Sequence, residues 1–393
     1  MKDTQIKKLI EAEKKRQKKV INLIASENYV SKDVLEALGT ELTNKYAEGY
    51  PNARYYGGNE VIDQVELLCQ KRALELFKLD PKKWAVNVQP LSGSPANLAV
   101  FTALVPIGEK IMGMKLSSGG HLTHAQPVSL TGKAWKQVPY EVSKATGMLD
   151  YAELKKIASA EKPKVFISGF TAYPRLIDWK ACKAVATAGE SIHMVDMSHI
   201  GGLVAGGVYP SPFEFADVVT TTTHKTLRGP RSALIFSRID ERGLDKKINK
   251  AIIPGLQGGP HMNQIAAVAV ALKEAKDAKF KSYVKQVIKN AKALAKELKK
   301  LGWGVVTGDT DSHMVLLDTW LDGKGVSGND ASVALEKVGI IVNKNAIPHD
   351  ARGVLDPSGI RLGTAAETTR GKKEKDFVVI AKKIDATLRK LIK

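Results

Sequence analysis

The sequence predicts an α/β protein: an open, mostly parallel sheet flanked by helices, followed by a smaller α+β domain. Two observations carry that reading. Between about Val61 and Tyr209, short apolar runs alternate with helical patterns, the order that builds parallel sheets. Beyond about residue 271 the pattern changes to a long basic helical stretch, then short strand-like runs between further helices. With 393 residues, 44% of them hydrophobic, the chain is long enough to bury a sizeable core in about two domains.

The elements follow in order. A basic first helix gives way to a loop at Ala25-Ser26-Glu27-Asn28 and to a Tyr- and Gly-rich loop over 46–59. Helices expected over 61–79, 96–104, 151–158 and 179–188 alternate with strands over 85–89, 110–114, 164–168 and 191–195. Strands over 218–223 and 233–236 flank a Lys-Thr-Leu-Arg-Gly-Pro turn. Past a glycine-rich loop at 254–260 the chain reads as helical from 264 to 301. In that stretch Val284, Ile288, Ala291, Ala295 and Leu298 recur every three or four residues with lysines between them. Strand-like runs at 304–307 and 314–317, a helix over 330–337 and a last helix from 374 complete the chain. The expected organisation is a helical arm over 1–25, a large domain over 26–270 and a small domain over 271–393.

Charge narrows the function classes. The net charge is +19, and segments 1–20, 273–300 and 370–393 carry +5, +7 and +6 of it. Each reads as an amphipathic helix with a solvated lysine face. A nucleic-acid site calls for a basic stripe with interleaved aromatics or a known module, and neither is present, so nucleic acid is not expected as the primary partner. Two cysteines, Cys69 and Cys182, make no disulfide framework and point to a reducing compartment. No apolar run approaches the ~20 residues of a membrane helix, and the Lys-rich start lacks a signal-peptide cleavage pattern. A cytoplasmic protein is expected. The chain has no G-x-x-x-x-G-K-[ST], H-E-x-x-H or C-x-x-C, and no G-x-G-x-x-G after a strand. No metal site is expected.

Three features remain, each with a plain structural reading of its own. Leu91-Ser92-Gly93-Ser94-Pro95-Ala96-Asn97 is a small polar loop between a strand and a helix; it can turn backbone N–H groups toward an anion, or simply cap the helix. Asp196 ends an apolar strand, where a carboxylate is costly unless it faces a cation; a protonated pyridine nitrogen is one candidate, a helix cap or ion pair another. Val218-Val219-Thr220-Thr221-Thr222-Thr223 ends in His224-Lys225, where a buried lysine can serve as a Schiff-base amine or be a solvated strand end. Taken together, an anion loop, a buried carboxylate and a strand-end lysine are the set that pyridoxal phosphate requires.

Longer motifs extend this. Ile24–Tyr29 (IASENY), Lys45–Pro51 (KYAEGYP), Arg54–Gly58 (RYYGG), Gly119–His124 (GGHLTH), Thr220–Arg231 (TTTTHKTLRGPR), Gly255–Pro260, Val342–Asn345 (VNKN) and Ser358–Arg361 (SGIR) occur in order along nearly the whole chain. In this the chain resembles the serine hydroxymethyltransferases, pyridoxal-phosphate enzymes of fold type I, the aspartate aminotransferase type. The resemblance implies a large domain with a mostly parallel seven-stranded sheet and a smaller C-terminal α+β domain. It implies that Lys225 is the Schiff-base lysine, with His224 beside it, that Asp196 pairs with the pyridine nitrogen, and that His121 covers the ring. His199 should contact the phenolic oxygen, Ser92, Gly93 and Ser94 should hold the phosphate, and Thr171 and Arg231 should complete the pocket. Tyr46, Gly258 and Gly259 should reach the phosphate from a neighbouring subunit, which implies a homodimer and leaves a tetramer open. Arg361 and Ser26 should hold the substrate carboxylate, and Glu48 and Tyr56, also from the neighbour, should handle protons. Leu116, Gly120, Leu122 and Asn345 match positions bordering tetrahydrofolate, the co-substrate that takes the hydroxymethyl carbon of L-serine and leaves glycine.

The chain departs from the usual pattern at Pro95, Ala125, Ser198, Gly201, Ile253 and across 349–357, none of which removes a catalytic group. The alternative within the fold is a folate-independent aldolase acting on threonine-like β-hydroxy amino acids, which would share Lys225 and Asp196.

Overall fold

In the computed structural model, which describes residues 1–392, seven strands form one sheet. In chain order they are β1 (Trp84–Asn87), β2 (Lys110–Met114), β3 (Lys136–Tyr140), β4 (Val165–Gly169), β5 (Ile192–Asp196), β6 (Val218–Thr222) and β7 (Ala233–Arg238). They lie in the order β1-β7-β6-β5-β4-β2-β3. β7 runs antiparallel to β1 and β6, and the remaining pairs are parallel. β4 and β6 are buried at all five positions, which is why they read as unbroken apolar and β-branched runs rather than alternations. Successive residues feed opposite faces. Phe166, Val195, Val219 and Phe236 join one apolar cluster, whereas Val165, Ile167, Met194, Val218 and Ile235 join another. Each large side chain buried this way contributes on the order of 2 kcal/mol.

Two of the strands missing from the sequence reading have identifiable reasons. β3 reads Lys-Gln-Val-Pro-Tyr, polar and with an internal proline, as an edge strand tolerates. The strand that carries Arg361 reads Gly-Ile-Arg-Leu-Gly, with two glycines and a charge in five residues.

Helices α1 (Thr4–Lys19), α2 (Glu60–Leu76), α3 (Gly93–Leu104), α4 (Met262–Glu274), α5 (Ala278–Lys300) and α6 (Glu374–Leu388) include the longest in the chain. The helix expected over 264–301 is two helices, α4 and α5, broken at 275–277. α4 packs on α2, whereas α5 packs on α6; a single straight helix could not face both partners. Residue 271, where the small domain was expected to begin, lies within α4.

A second sheet, β8 (Gly304–Val305), β9 (Met314–Asp318), β10 (Asn343–Asn345) and β11 (Gly359–Gly363), is antiparallel in the order β8-β9-β11-β10. Leu317, Ile360 and Leu362 of this sheet pack with Leu294 and Leu298 of α5 and Phe377 and Ile384 of α6. Leu23 enters the same cluster, and Ile21–Asn22 pairs in parallel with Ile340–Ile341. α1 itself buries no residue. Asp3 caps it by accepting from the N–H groups of Gln5 and Ile6, and Arg16, Lys18 and Lys19 complement the dipole at its other end. Among the described residues no helix is long and apolar enough to cross a membrane.

Candidate active site

The carboxyl ends of β1, β2, β4, β5 and β6 open into a cavity of about 430 Å³, the place where open α/β sheets bind ligands. Ser26, Ser92, Gly93, Ser94, Leu116, Gly120, His121, Leu122, Thr171, Asp196, His199, His224, Lys225, Arg231 and Arg361 all line it.

β5 delivers Asp196 at its last position. Gly169, at the end of β4, makes room for it: Gly169 has φ +123°, and a Cβ there would sit 2.1 Å from the Asp196 carbonyl oxygen. Asp196 Oδ1 accepts from the Ser198 N–H at 3.0 Å, and Oδ2 accepts from Asn97 Nδ2 at 2.9 Å and contacts His124 Nε2 at 3.2 Å. The His121 N–H donates to His124 Nδ1, so the proton of His124 resides on Nε2 and points at the carboxylate. Burial alone would raise the Asp196 carboxyl. The His124 hydrogen bond, with the electrostatic influence of His124, His121 and Lys225, outweighs it and holds the group well below the usual carboxylate range.

Lys225 follows β6, nearly buried, with Nζ in no hydrogen bond or ion pair among the described residues. Asn28 holds its backbone by donating to the Lys225 carbonyl at 2.9 Å. Burial pushes the amine down to about 8; Asp196 works against that shift, and Arg361 and Arg231 add to it. His121 falls to about 4 and His224 to about 3, both chiefly through burial, so both rings are neutral at neutral pH.

The anion loop leads into α3. Ser92 makes no side-chain cap, and a Cβ at Gly93 would meet Thr222 Cγ2 at 2.7 Å. The helix therefore starts hard against β6 with its first N–H groups turned to the cavity. Arg361 comes from β11, paired opposite Leu316 and Asn343. It donates to the Thr171 carbonyl at 2.7 Å and to Asn343 Oδ1 at 3.2 Å, leaving Nη2 without a partner among the described residues. Burial lowers it to about 10, so it stays charged.

Two carboxylates, Asp196 and Glu27, thus line the cavity with three cations, Lys225, Arg231 and Arg361, beside a helix N-terminus. That excess of positive charge suits a ligand carrying a phosphate and a carboxylate, while a free amine and a buried carboxylate suit an aldehyde and a basic ring nitrogen. The residues present fit pyridoxal phosphate.

A second group of expected residues lies elsewhere. Tyr46 donates to Glu48 Oε1 at 3.3 Å and packs edge-on against Tyr56, with centroids 5.3 Å apart. Gly258 and Gly259 abut this pair. None of these five lines the cavity of its own chain. Arg54 anchors their loop, donating to Asp63, Glu66 and the carbonyls of Ala47 and Gly49 at 2.6–2.9 Å. Asn345 sits on β10, donates to the Ala346 carbonyl and does not line the cavity. The sequence reading gave no role to Asn97 or His124, although both lie within motifs it quoted. Thr220, which donates to Asn97 Oδ1 at 2.8 Å, is likewise known only from the fold.

Comparison with known proteins agrees with this geometry. The family model described as serine hydroxymethyltransferase matches residues 1–384. A serine hydroxymethyltransferase of Caenorhabditis elegans is 50% identical, covering 100% of this chain and 82% of that protein. The mitochondrial enzyme of Saccharomyces cerevisiae is 48% identical, over 98% and 82%, and the cytosolic enzyme of the same yeast is 50% identical, over 95% and 83%. The chain belongs to the serine hydroxymethyltransferase family.

Proposed function

We propose that this protein uses pyridoxal phosphate to convert L-serine and tetrahydrofolate reversibly into glycine and 5,10-methylenetetrahydrofolate. The carrying observation is the unpartnered Lys225 amine, facing Asp196 and Arg361 in one cavity, in a chain of that family. When bound, pyridoxal phosphate supplies an electron-withdrawing ring that weakens the serine bond to the hydroxymethyl carbon. Lys225 would hold the cofactor through its aldehyde carbon. Asp196, kept ionised, holds a proton on the ring nitrogen. Ser92, Gly93 and Ser94 hold the phosphate, aided by Arg231 and Thr171. His121 covers the ring, His224 steadies Lys225, and His199 faces the phenolic oxygen. Arg361, with Ser26, grips the substrate carboxylate as a two-point fork, which a guanidinium allows and an ammonium does not. Leu116, Gly120 and Leu122 border the folate, with Asn345 nearby.

Tyr46, Glu48, Tyr56, Gly258 and Gly259 act in the cavity of a second copy of the chain. Two observations support a shared-site homodimer. This group is assembled outside its own cavity, with Tyr46 and Tyr56 exposed. α1 also leaves Ile6, Leu9 and Ile10 exposed, whereas helices in proteins draw most of their stability from packing an apolar face. Glu48, reaching in from the neighbour, handles the serine hydroxyl proton together with Tyr56. The separate apolar cluster around the second sheet supports a small C-terminal domain after an arm over 1–25 and a large domain from 26; because 271 lies within α4, which packs on α2, the boundary expected at 270/271 belongs after that helix. A cytoplasmic location rests on the two buried free thiols, Cys69 and Cys182; the yeast relatives carry both cytosolic and mitochondrial names.

The deciding experiment is visible absorption. Adding pyridoxal phosphate should produce a visible band, and glycine plus tetrahydrofolate together should shift it to longer wavelength where glycine alone does not. A band that answers to glycine and ignores folate would point to the aldolase. No band at all would defeat the cofactor assignment.

A further inference from the structure

His313 lies just before β9, fully buried, and the function described above gives it no part. Its ring reaches across to the large sheet. His313 Nε2 is 3.1 Å from the Ala25 carbonyl oxygen and 3.3 Å from His199 Nδ1. The two imidazole centroids are 5.5 Å apart with the planes 24° from parallel. That separation exceeds the nitrogen–nitrogen distance by about two ring radii, so the rings meet edge to edge in nearly one plane, not face to face. Each nitrogen therefore presents its in-plane N–H or lone pair to the other.

The proton positions follow from what each neighbour can do. A carbonyl oxygen only accepts, and the Ala25 oxygen has no other hydrogen bond among the described residues, so His313 Nε2 must carry hydrogen. The opposite assignment would set a lone pair against the carbonyl and strand a buried N–H on Nδ1 with no acceptor. His313 Nδ1 is indeed buried without a partner, which a lone pair tolerates better than a donor. A doubly protonated ring is ruled out by burial with Arg361 and Lys225 close by, which holds His313 down to about 3. His199 Nδ1 therefore faces an N–H and must be the acceptor. Burial, reinforced by Lys225, Arg361, His313 and His121, keeps His199 well below its ordinary value and thus singly protonated. Its one proton is on Nε2, which makes no hydrogen bond among the described residues and belongs to a residue lining the cavity.

We propose that His313 is a positioning residue that locks His199 in the Nε2–H tautomer, so that His199 presents a hydrogen-bond donor to the ligand in the cavity. The same residue ties three parts of the site together. It holds the Ala25 carbonyl next to Ser26. It precedes the strand paired with Arg361's strand, where the Thr364 N–H donates to the His313 carbonyl at 2.9 Å. And it touches His199 after β5. The lock rests on the proposed function only in naming the phenolic oxygen of pyridoxal phosphate as the acceptor that His199 serves.

The test is nitrogen-15 NMR of the full-length protein labelled at histidine, without added cofactor, with the His199 signal identified by its loss in His199→Asn. The wild-type protein should show His199 unprotonated at Nδ1 and protonated at Nε2. His313→Phe, which keeps a flat ring but has no N–H, should lose that single-tautomer signal. His313→Gln, whose amide N–H can still donate toward Nδ1, should keep it. After loading with pyridoxal phosphate, the pH profile of the visible band should shift in His313→Phe and return toward wild type in His313→Gln. A wild-type His199 protonated at Nδ1, or a folded His313→Phe with an unchanged His199 signal, overturns the lock. If His313→Phe fails to fold, the wild-type and His313→Gln spectra still decide it. Failure of the functional reading looks different: the tautomer result would stand while pyridoxal phosphate produced no visible band.

Discussion

Single residues in this site act through protonation states that burial sets. Lys225, lowered to about 8, is half neutral at that pH, whereas an ordinary lysine near 10.5 is almost wholly charged. Only the neutral amine attacks an aldehyde. The rate at which the cofactor-free protein takes up pyridoxal phosphate should therefore rise roughly tenfold per pH unit below pH 8 and level off above it. A rate still climbing steeply beyond pH 9 would show that the cavity does not depress this amine. Arg361 makes a second prediction. Its free Nη2 edge gives the carboxylate two donors, so Arg361→Lys should weaken glycine binding about ten- to a hundredfold, read from the absorbance titration. Unchanged glycine affinity would move the carboxylate to another group. Glu48→Gln should abolish folate-dependent turnover while glycine still perturbs the visible band; equal loss of both would remove Glu48 from proton handling.

Individual elements carry their own strain and supports. Ala125 is buried at φ +58° in the segment after His124, a left-handed conformation that a side chain resists by on the order of 1 kcal/mol. The family resemblance places glycine at this position. Ala125→Gly should then leave the urea midpoint unchanged or raised, because relief of strain offsets the added chain entropy. Ala99→Gly, in the interior of α3, should cost about 1 kcal/mol. Similar losses in both variants would mean that Ala125 is not strained. The Tyr46–Tyr56 loop is an element of the opposite kind, exposed yet held firmly from beneath by Arg54. Arg54 has 4% of its side chain exposed and pairs with Asp63 and the fully buried Glu66. Breaking such a buried pair is costly because it leaves a charge uncompensated.

At the scale of the whole molecule, the Tyr46–Glu48–Tyr56 group stands apart from the cavity of its own chain, and the proposed sharing of sites between two copies is open to a direct test. Mixing inactive Lys225→Ala with inactive Glu48→Gln, with subunit exchange allowed, should restore activity at up to about one site in four, because half of the mixed dimers' sites draw both intact groups. No recovery, with exchange demonstrated, would mean that each chain completes its own site. The net charge of +19 does not enter this chemistry. It resides mainly on α1, α5 and α6, whose lysines are mostly exposed and away from the cavity.

Much of this was legible without coordinates, for a physical reason. Strands buried on both faces leave unbroken apolar runs, and the residues that do chemistry follow those runs directly, so Asp196, Lys225 and the Ser92–Ser94 loop announce themselves locally. Contacts between distant segments leave no such local mark. The sequence could not show that Asn97, His124 and Thr220 support Asp196, that one helical stretch is two helices with different partners, or that His313 meets His199 across 114 positions of chain. Nor could spacing alone reveal that Glu48 and Tyr56 stand outside their own cavity. Composition and periodicity determined the layers and the sheet edge that bears three candidate groups, the Ser92–Ser94 loop, Asp196 and Lys225; motif resemblance supplied the other candidates. Only the tertiary structure decided the hydrogen bonds that fix their protons, because those bonds join residues that chain order leaves far apart.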